Sequence, residues 1–133
     1  MYNVAMNKKG KKHKKSKFLK TFEQYKKIYF SFKSVTCPAL NNCEVKFTNF
    51  GWNHLCVRKW RTEVEKLERM ELLPYAKKLI SITTTIQSIR YYDGYQTFEF
   101  NANMDGKRVT ALVSKTKEGF IFYSNFRDDN NSL

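Results

Sequence analysis

Ile86–Phe126 reads IQSIRYYDGYQTFEFNANMDGKRVTALVSKTKEGFIFYSNF, and its period decides the fold class. Ile86 to Tyr92 is rich in β-branched and aromatic residues and runs into Asp93-Gly94, a two-residue hairpin signal. From Tyr95 to Ala102, Phe98, Phe100 and Ala102 alternate onto one face. Asp105-Gly106 marks a second turn. Arg108 to Ser114 alternates Val109, Ala111 and Val113, and Lys117-Glu118-Gly119 marks a third turn before Phe120 to Phe126. Four strands of period two, separated by three turns, predict an antiparallel meander.

Upstream the period changes. Phe18, Phe22, Tyr25, Tyr29 and Phe32 recur at three and four, which predicts a helix over 18–33 with one apolar stripe. Its other face carries Lys20, Lys26, Lys27 and Lys33, so a basic amphipathic helix lying on an anionic membrane is a minor alternative. Residues 34–43 read as loop, marked by Pro38 and Asn41-Asn42. A short strand follows at Glu44–Thr48. Thr48 or Asn49 is placed to cap a helix from about Trp52 to Met70, whose apolar face is Trp52, Leu55, Cys56, Trp60, Val64 and Leu67. A further helix runs from about Leu72 to Ile80, with Pro74 in its first turn. The expected fold class is α+β, with N-terminal helices packed on a four-stranded antiparallel β-meander and the second sheet face open to solvent. Residues 1–17 form a flexible basic tail, 18–126 a single α+β domain, and 127–133 a frayed end.

Charge limits the partners. The 133 residues carry a formal net charge of +13, with a pI near 9.7. Residues 1–34 hold 11 Lys against one Glu, so the basicity is concentrated in the tail and first helix. Such a field attracts polyanions, and Lys11, Lys12, Lys14 and Lys15 are suited to gripping phosphates without sequence information. The expected partner is nucleic acid, RNA before DNA, because the 11 Phe and 8 Tyr supply faces for unpaired bases. No run is apolar enough for a signal peptide or a membrane span, so the expected location is the cytoplasm. Cys37, Cys43 and Cys56 make an odd count without C-x-x-C, and Cys37, Cys43 and His54 fall one ligand short of a structural zinc site. No Walker loop, G-x-G-x-x-G, H-E-x-x-H or Gly-x-Ser-x-Gly elbow is present, nor the dense carboxylates of a magnesium site. No metal or cofactor is expected.

The chemistry centres on His54, the only histidine outside the tail. Imidazole titrates near neutrality and suits proton transfer. On a continuous helix His54, Arg58 and Arg61 share one face, where the arginines attract a phosphate; the alternative is a surface histidine beside two solvated arginines. Arg90, Lys107 and Arg108 on the strands could face it across a groove, with Ser124 or Thr110 donating a hydrogen bond. Glu99 reads as a base or, more commonly, a cross-strand charge partner. One histidine and a few cations suffice for metal-independent RNA cleavage, in which the ribose 2′-OH attacks the phosphate; DNA lacks that nucleophile.

The stretches VKFTNFGWNHLCVRKW (Val45–Trp60), RYYDGYQTFEF (Arg90–Phe100), KRVTALVSK (Lys107–Lys115) and GFIFYSNF (Gly119–Phe126) resemble the barnase/EndoU/colicin-nuclease/RelE-like class of RNases, in the compact form of phages and mobile elements. The resemblance covers about residues 44–126. It implies a metal-independent endoribonuclease, toxin-like, with His54, Arg58, Arg108 and Ser124 as catalytic residues, RNA contacts from Lys59, Arg61, Arg90 and Lys107, and an acidic antitoxin or immunity protein as partner. The chain departs from the class where a second histidine is expected, at Lys59. The rival expectation is a non-catalytic RNA- or DNA-binding module.

Overall fold

Asp93 and Gly94 both take positive φ, 51° and 82°, as do Asp105 and Gly106, 52° and 79°. Two successive positive φ values give the turn whose twist matches paired strands, and these turns set the registers of the meander. The computed structural model describes residues 17–57 and 61–127. Its strands β3 (Ser88–Tyr92), β4 (Tyr95–Met104), β5 (Lys107–Thr116) and β6 (Gly119–Arg127) pair antiparallel in order.

The sheet is larger than a four-stranded meander. Val35 to Cys37 and Cys43 to Val45 lie within two further strands, β1 (Ser34–Cys37) and β2 (Cys43–Lys46), which pair antiparallel. β2 then runs parallel to β6 through Val45–Phe120 and Lys46–Ile121. The result is a six-stranded mixed sheet in the order β1-β2-β6-β5-β4-β3. Residues 34–43, expected as loop, are therefore mostly strand and 3-10 turn (Pro38–Leu40). Their reversal rests on Asn41 and Asn42, both at positive φ, which asparagine tolerates better than most residues.

Among the described residues four helices complete the α+β fold: α1 (Lys17–Phe32), α2 (Asn49–Trp52), α3 (Glu63–Glu71) and α4 (Leu73–Ile82). The expected continuous helix from Trp52 to Met70 is interrupted. After α2 the chain widens into a π-helical turn (Asn53–Val57), and α3 starts afresh at Glu63. The restart has a local cause. Thr62 Oγ1 accepts from Glu65 N at 3.1 Å while Glu65 Oε1 accepts from Thr62 N at 2.8 Å, a reciprocal cap that ends whatever precedes it. Val64, expected in the apolar face, is 65% exposed in consequence. Trp60 lies outside the described residues. Thr48 does occupy the position before α2, but its side chain makes no capping bond. Pro74 falls in the first turn of α4 as expected.

The main core lies between the helices and one sheet face. Phe98, Phe100, Val109, Ala111, Val113 and Phe122 meet Leu73, Ala76 and Ile80 there. Tyr29 of α1 is fully buried, with its ring against Phe47, Trp52 and Phe122 at centroid distances of 5.6, 5.4 and 5.9 Å. Its hydroxyl donates to Thr48 O at 2.6 Å. Burial raises the phenol well above its ordinary range, so the donor form persists. Gly51 sits where α2 crosses β6. A Cβ there would meet Phe122 O and come within 2.6 Å of the Tyr29 hydroxyl oxygen, so only glycine lets the helix approach so closely.

The second sheet face is not the open platform expected. Thr97, Thr110, Ser114 and Ser124 are each no more than 1% exposed, and Thr97 Oγ1 and Ser114 Oγ hydrogen-bond at 2.8 Å. No helix among the described residues is long and apolar enough to cross a membrane.

Gly51→Ala is expected to cost about 1–3 kcal/mol, as overpacking against backbone does. Tyr29→Phe is expected to cost less, about 0.5–1.5 kcal/mol, because Thr48 O keeps its bond from Trp52 N. Chemical denaturation of both variants checks the order; a larger loss from Tyr29→Phe contradicts it.

Candidate functional site at the bulge of strand β6

β2 pairs with β6 only as far as Ile121. Beyond that point the edge of β6 would be bare, and an unpaired edge is a liability. α2, the π-turn and α3 run along it instead. Arg69 Nη1 donates to Asn125 O at 3.1 Å, and Asn125 Nδ2 donates back to Arg69 O at 2.9 Å. This exchange replaces the missing strand.

Beside it the β5–β6 register slips between Leu112 and Val113. Leu112 pairs with Ser124 and Val113 with Phe122, so Tyr123 is the extra residue. A bulge of this kind re-aims side chains. Tyr123 and Ser124, neighbours in sequence, both serve the second sheet face. The His54 ring lies 3.9 Å from the Tyr123 ring, centroid to centroid. Tyr123 is stacked at 5.7 Å and 20° on Tyr92, and its hydroxyl donates to Asp93 Oδ2 at 2.7 Å. The hairpin turn that pairs β3 with β4 thereby also holds the tyrosine under the histidine. His54 is half-buried, with Nδ1 enclosed.

Two guanidinium groups complete the cluster. Arg69 Nη1 also donates to Ser124 Oγ at 3.3 Å, and the Ser124 hydroxyl retains its own proton to donate. Arg61 reaches back to His54 O, with Nε and Nη2 each at 3.4 Å. Burial, and next the nearby Arg61 charge, lower Arg69 from 12.5 to about 10. It remains a cation at neutral pH. Among the described residues no carboxylate stands within ion-pair distance of it, although Glu65 and Glu68 act at longer range. Cys56 registers the same concentration of charge. Burial pushes its thiol up to about 12 even though Lys66, Arg61 and Arg69 pull it down. The Arg61 charge acts on Arg69, and an added phosphate would relieve that repulsion and supply acceptors to the fork.

The sequence-derived residues divide. His54, Arg61 and Ser124 meet at the bulge. Arg108 does not join them. It stands four residues along β5 from Leu112, roughly 13 Å, and donates to Asn101 Oδ1 at 2.6 Å. Arg90 lies 3.8 Å from Glu99, which makes Glu99 a cross-strand partner; Ser88 Oγ also donates to it at 3.0 Å. Lys107 sits 5.2 Å over the Tyr75 ring. Arg58, Lys59, Lys11, Lys12, Lys14 and Lys15 lie outside the described residues. His54 and Arg61 do not share the continuous helix expected, since it is interrupted; Arg61 reaches the His54 carbonyl from a bend instead. Sequence reading missed Arg69, Tyr123, Asp93 and Asn125. Arg69 sits in a run, EVEKLERMEL (Glu63–Leu72), that alternates charges like any solvated helix, and nothing in it marks one arginine as buried. Among the described residues no group of three or more His, Cys, Asp or Glu could hold a metal ion.

No known protein family, curated protein or solved structure matches this chain.

The thiols report on this environment. Cys37 and Cys56 are buried and Cys43 is exposed. Burial raises both buried thiols, so both are protonated at neutral pH. A thiol reagent at pH 8 should label Cys43 alone in the native protein and all three cysteines after unfolding. Unfolded, Cys56 titrates near its ordinary 9.0 and, folded, near 12. Its contribution to stability is therefore complete below pH 9 and declines as pH rises towards 12. Rapid native labelling of Cys56 would contradict the packing of the π-turn.

Proposed function

We propose that the protein binds RNA and cleaves it as a metal-independent endoribonuclease. The supporting observation is the bulge at Tyr123–Ser124, where His54 packs on Tyr123, Arg69 donates to Ser124, and Arg61 reaches the His54 carbonyl. In this reading Arg69 and Arg61 hold the scissile phosphate, and the buried Ser124 hydroxyl orients the Arg69 guanidinium. His54 takes the proton of the ribose 2′-OH or returns one to the leaving oxygen. The Tyr123 ring fixes the imidazole plane, and Asp93 fixes Tyr123. The arginines also stabilise the additional negative charge of the phosphorane, where prearranged donors have their largest effect. RNA is preferred because the nucleophile is its own 2′-OH. Residues 1–34 add non-specific grip through their lysines. The resemblance to the barnase/EndoU/colicin-nuclease/RelE-like class is consistent with a toxin-like role in a mobile element and an acidic inhibitor that complements the basic surface.

A second reading, a binding module without catalysis, is favoured by Arg90 and Arg108. Each is engaged by its own neighbour, Glu99 or Asn101, and a nuclease of this plan would need both at the phosphate.

The deciding experiment incubates the purified protein with total RNA, with and without EDTA, beside His54→Ala and Arg69→Lys variants of verified fold. Cleavage that persists in EDTA and falls at least ~10²-fold in His54→Ala supports the nuclease. Arg69→Lys keeps the charge but loses the fork, so its rate should fall too. Absence of cleavage, together with RNA binding that weakens steeply with salt and is equal in wild type and His54→Ala, selects the binding module.

A further inference from the structure

An open cavity of about 570 Å³ lies beside Phe50, whose ring meets Tyr123, lined in part by Thr48, Asn49, Phe50, Tyr95, Lys117 and Glu118. We infer that it is a pocket for one unpaired nucleobase, flanking the site centred on His54; the inference rests on that site facing RNA.

The walls argue for a flat aromatic ligand. Phe50 meets Tyr95 edge-on at 5.6 Å and 80°, and meets Tyr123 at 5.6 Å. Tyr95 keeps 37% of its surface exposed, so an aromatic face is available at the rim. Stacking of this kind accepts any base. The polar groups argue for a ligand with donors and acceptors on its edge. Thr48 Oγ1 is buried and, among the described residues, has no hydrogen-bond partner, although Thr48 O already receives Tyr29 and Trp52 N. Buried hydroxyls are nearly always satisfied, and rotation of the half-buried Thr48 side chain would turn this one to a base edge. The exposed Asn49 amide offers both donor and acceptor. Lys117 and Glu118, exposed at the β5–β6 turn, supply opposite charges at the mouth. The position argues for a nucleotide in a chain. Asn49 precedes His54 by five residues, about 7.5 Å of helical rise, and Phe50 and His54 both rest on Tyr123. A strand whose phosphate lies at Arg61 and Arg69 can place an adjoining base against Phe50 and Tyr95. The net charge of +13 favours a polyanion over a neutral aromatic ligand of similar shape. The base must be unpaired, because a paired base presents neither of its faces to a side chain.

The test uses the full chain and 2′-O-methyl oligonucleotides, which lack the attacking hydroxyl and cannot be cleaved by this chemistry. Single strands and the corresponding duplex are titrated at low salt against wild type, His54→Ala, Tyr95→Ala, Tyr95→Leu and Thr48→Val, each checked for folding by circular dichroism. The expected result is single-strand binding that weakens about 5- to 100-fold in Tyr95→Ala, the size of one lost stack. Tyr95→Leu, which keeps apolar contact with Phe50 but no aromatic face, should weaken similarly. Thr48→Val, nearly the same shape, should change the ranking among A, C, G and U oligomers. Binding that is unchanged in both Tyr95 variants overturns the pocket, as does equal affinity for duplex and single strand or no binding by wild type. Loss of binding in the Tyr95 variants, with no cleavage of ordinary RNA by wild type, leaves the pocket standing and removes the nuclease. Cleavage that depends on His54 with no effect of Tyr95 does the reverse.

Discussion

The close crossing of α2 over β6 is the constraint on which the rest of the structure depends. Gly51 lets the helix backbone come against Phe122 O, and the Tyr29 hydroxyl fills the remaining space while holding Thr48 O at 2.6 Å. One tyrosine thus ties α1, the β2–α2 junction and β6 together, inside a cluster of Phe47, Trp52 and Phe122 rings. The location matters because the next segment, the π-turn, carries His54. A change of a fraction of an ångström at Gly51 would carry into the contact between His54 and Tyr123, since packed interiors transmit strain rather than absorb it.

The candidate site follows from a problem of sheet construction. β2 leaves β6 after Lys46–Ile121, so the remaining edge must be covered by something other than a strand. The helical segment that covers it brings His54, Arg61 and Arg69 with it. The bulge at Tyr123–Ser124 then offers two consecutive side chains to these groups. Arg69 is held by Ser124, by the Asn125 carbonyl and by the Phe126 ring at 5.6 Å. These contacts are neutral, with Glu65 and Glu68 acting only at longer range. The side chain that protects the edge is also the one proposed to bind an anion.

The meander was legible because its signals are local. Asp93-Gly94 and Asp105-Gly106 take the positive φ values their residue types suggest, and Phe98, Phe100, Val109, Ala111 and Val113 face the core as their alternation implies. The aromatic stripe of α1 was legible for the same reason. The Thr62–Glu65 capping box was also written in the residues, as T-x-x-E, but the apolar spacing from Trp52 to Leu67 runs through it and conceals the restart. Strands β1 and β2 were not legible. Each is four residues long, and β2 is stabilised by a parallel partner more than 70 positions away, which no local pattern encodes. Of the site, His54, Arg61 and Ser124 stood out by chemistry. Arg69 did not, because its burial depends on the bare edge of β6 and not on its own helix.

By itself, then, the amino-acid sequence determined the α+β class, the meander and its turns, the basicity and the candidate proton carrier, since each depends on side-chain period, backbone preference or formal charge within a few residues. Only the tertiary structure decided the six-stranded mixed sheet, the interruption of the long helix, and which cations meet His54. Those depend on where a strand ends and what packs against its open edge, and that is a balance struck between segments far apart in the chain.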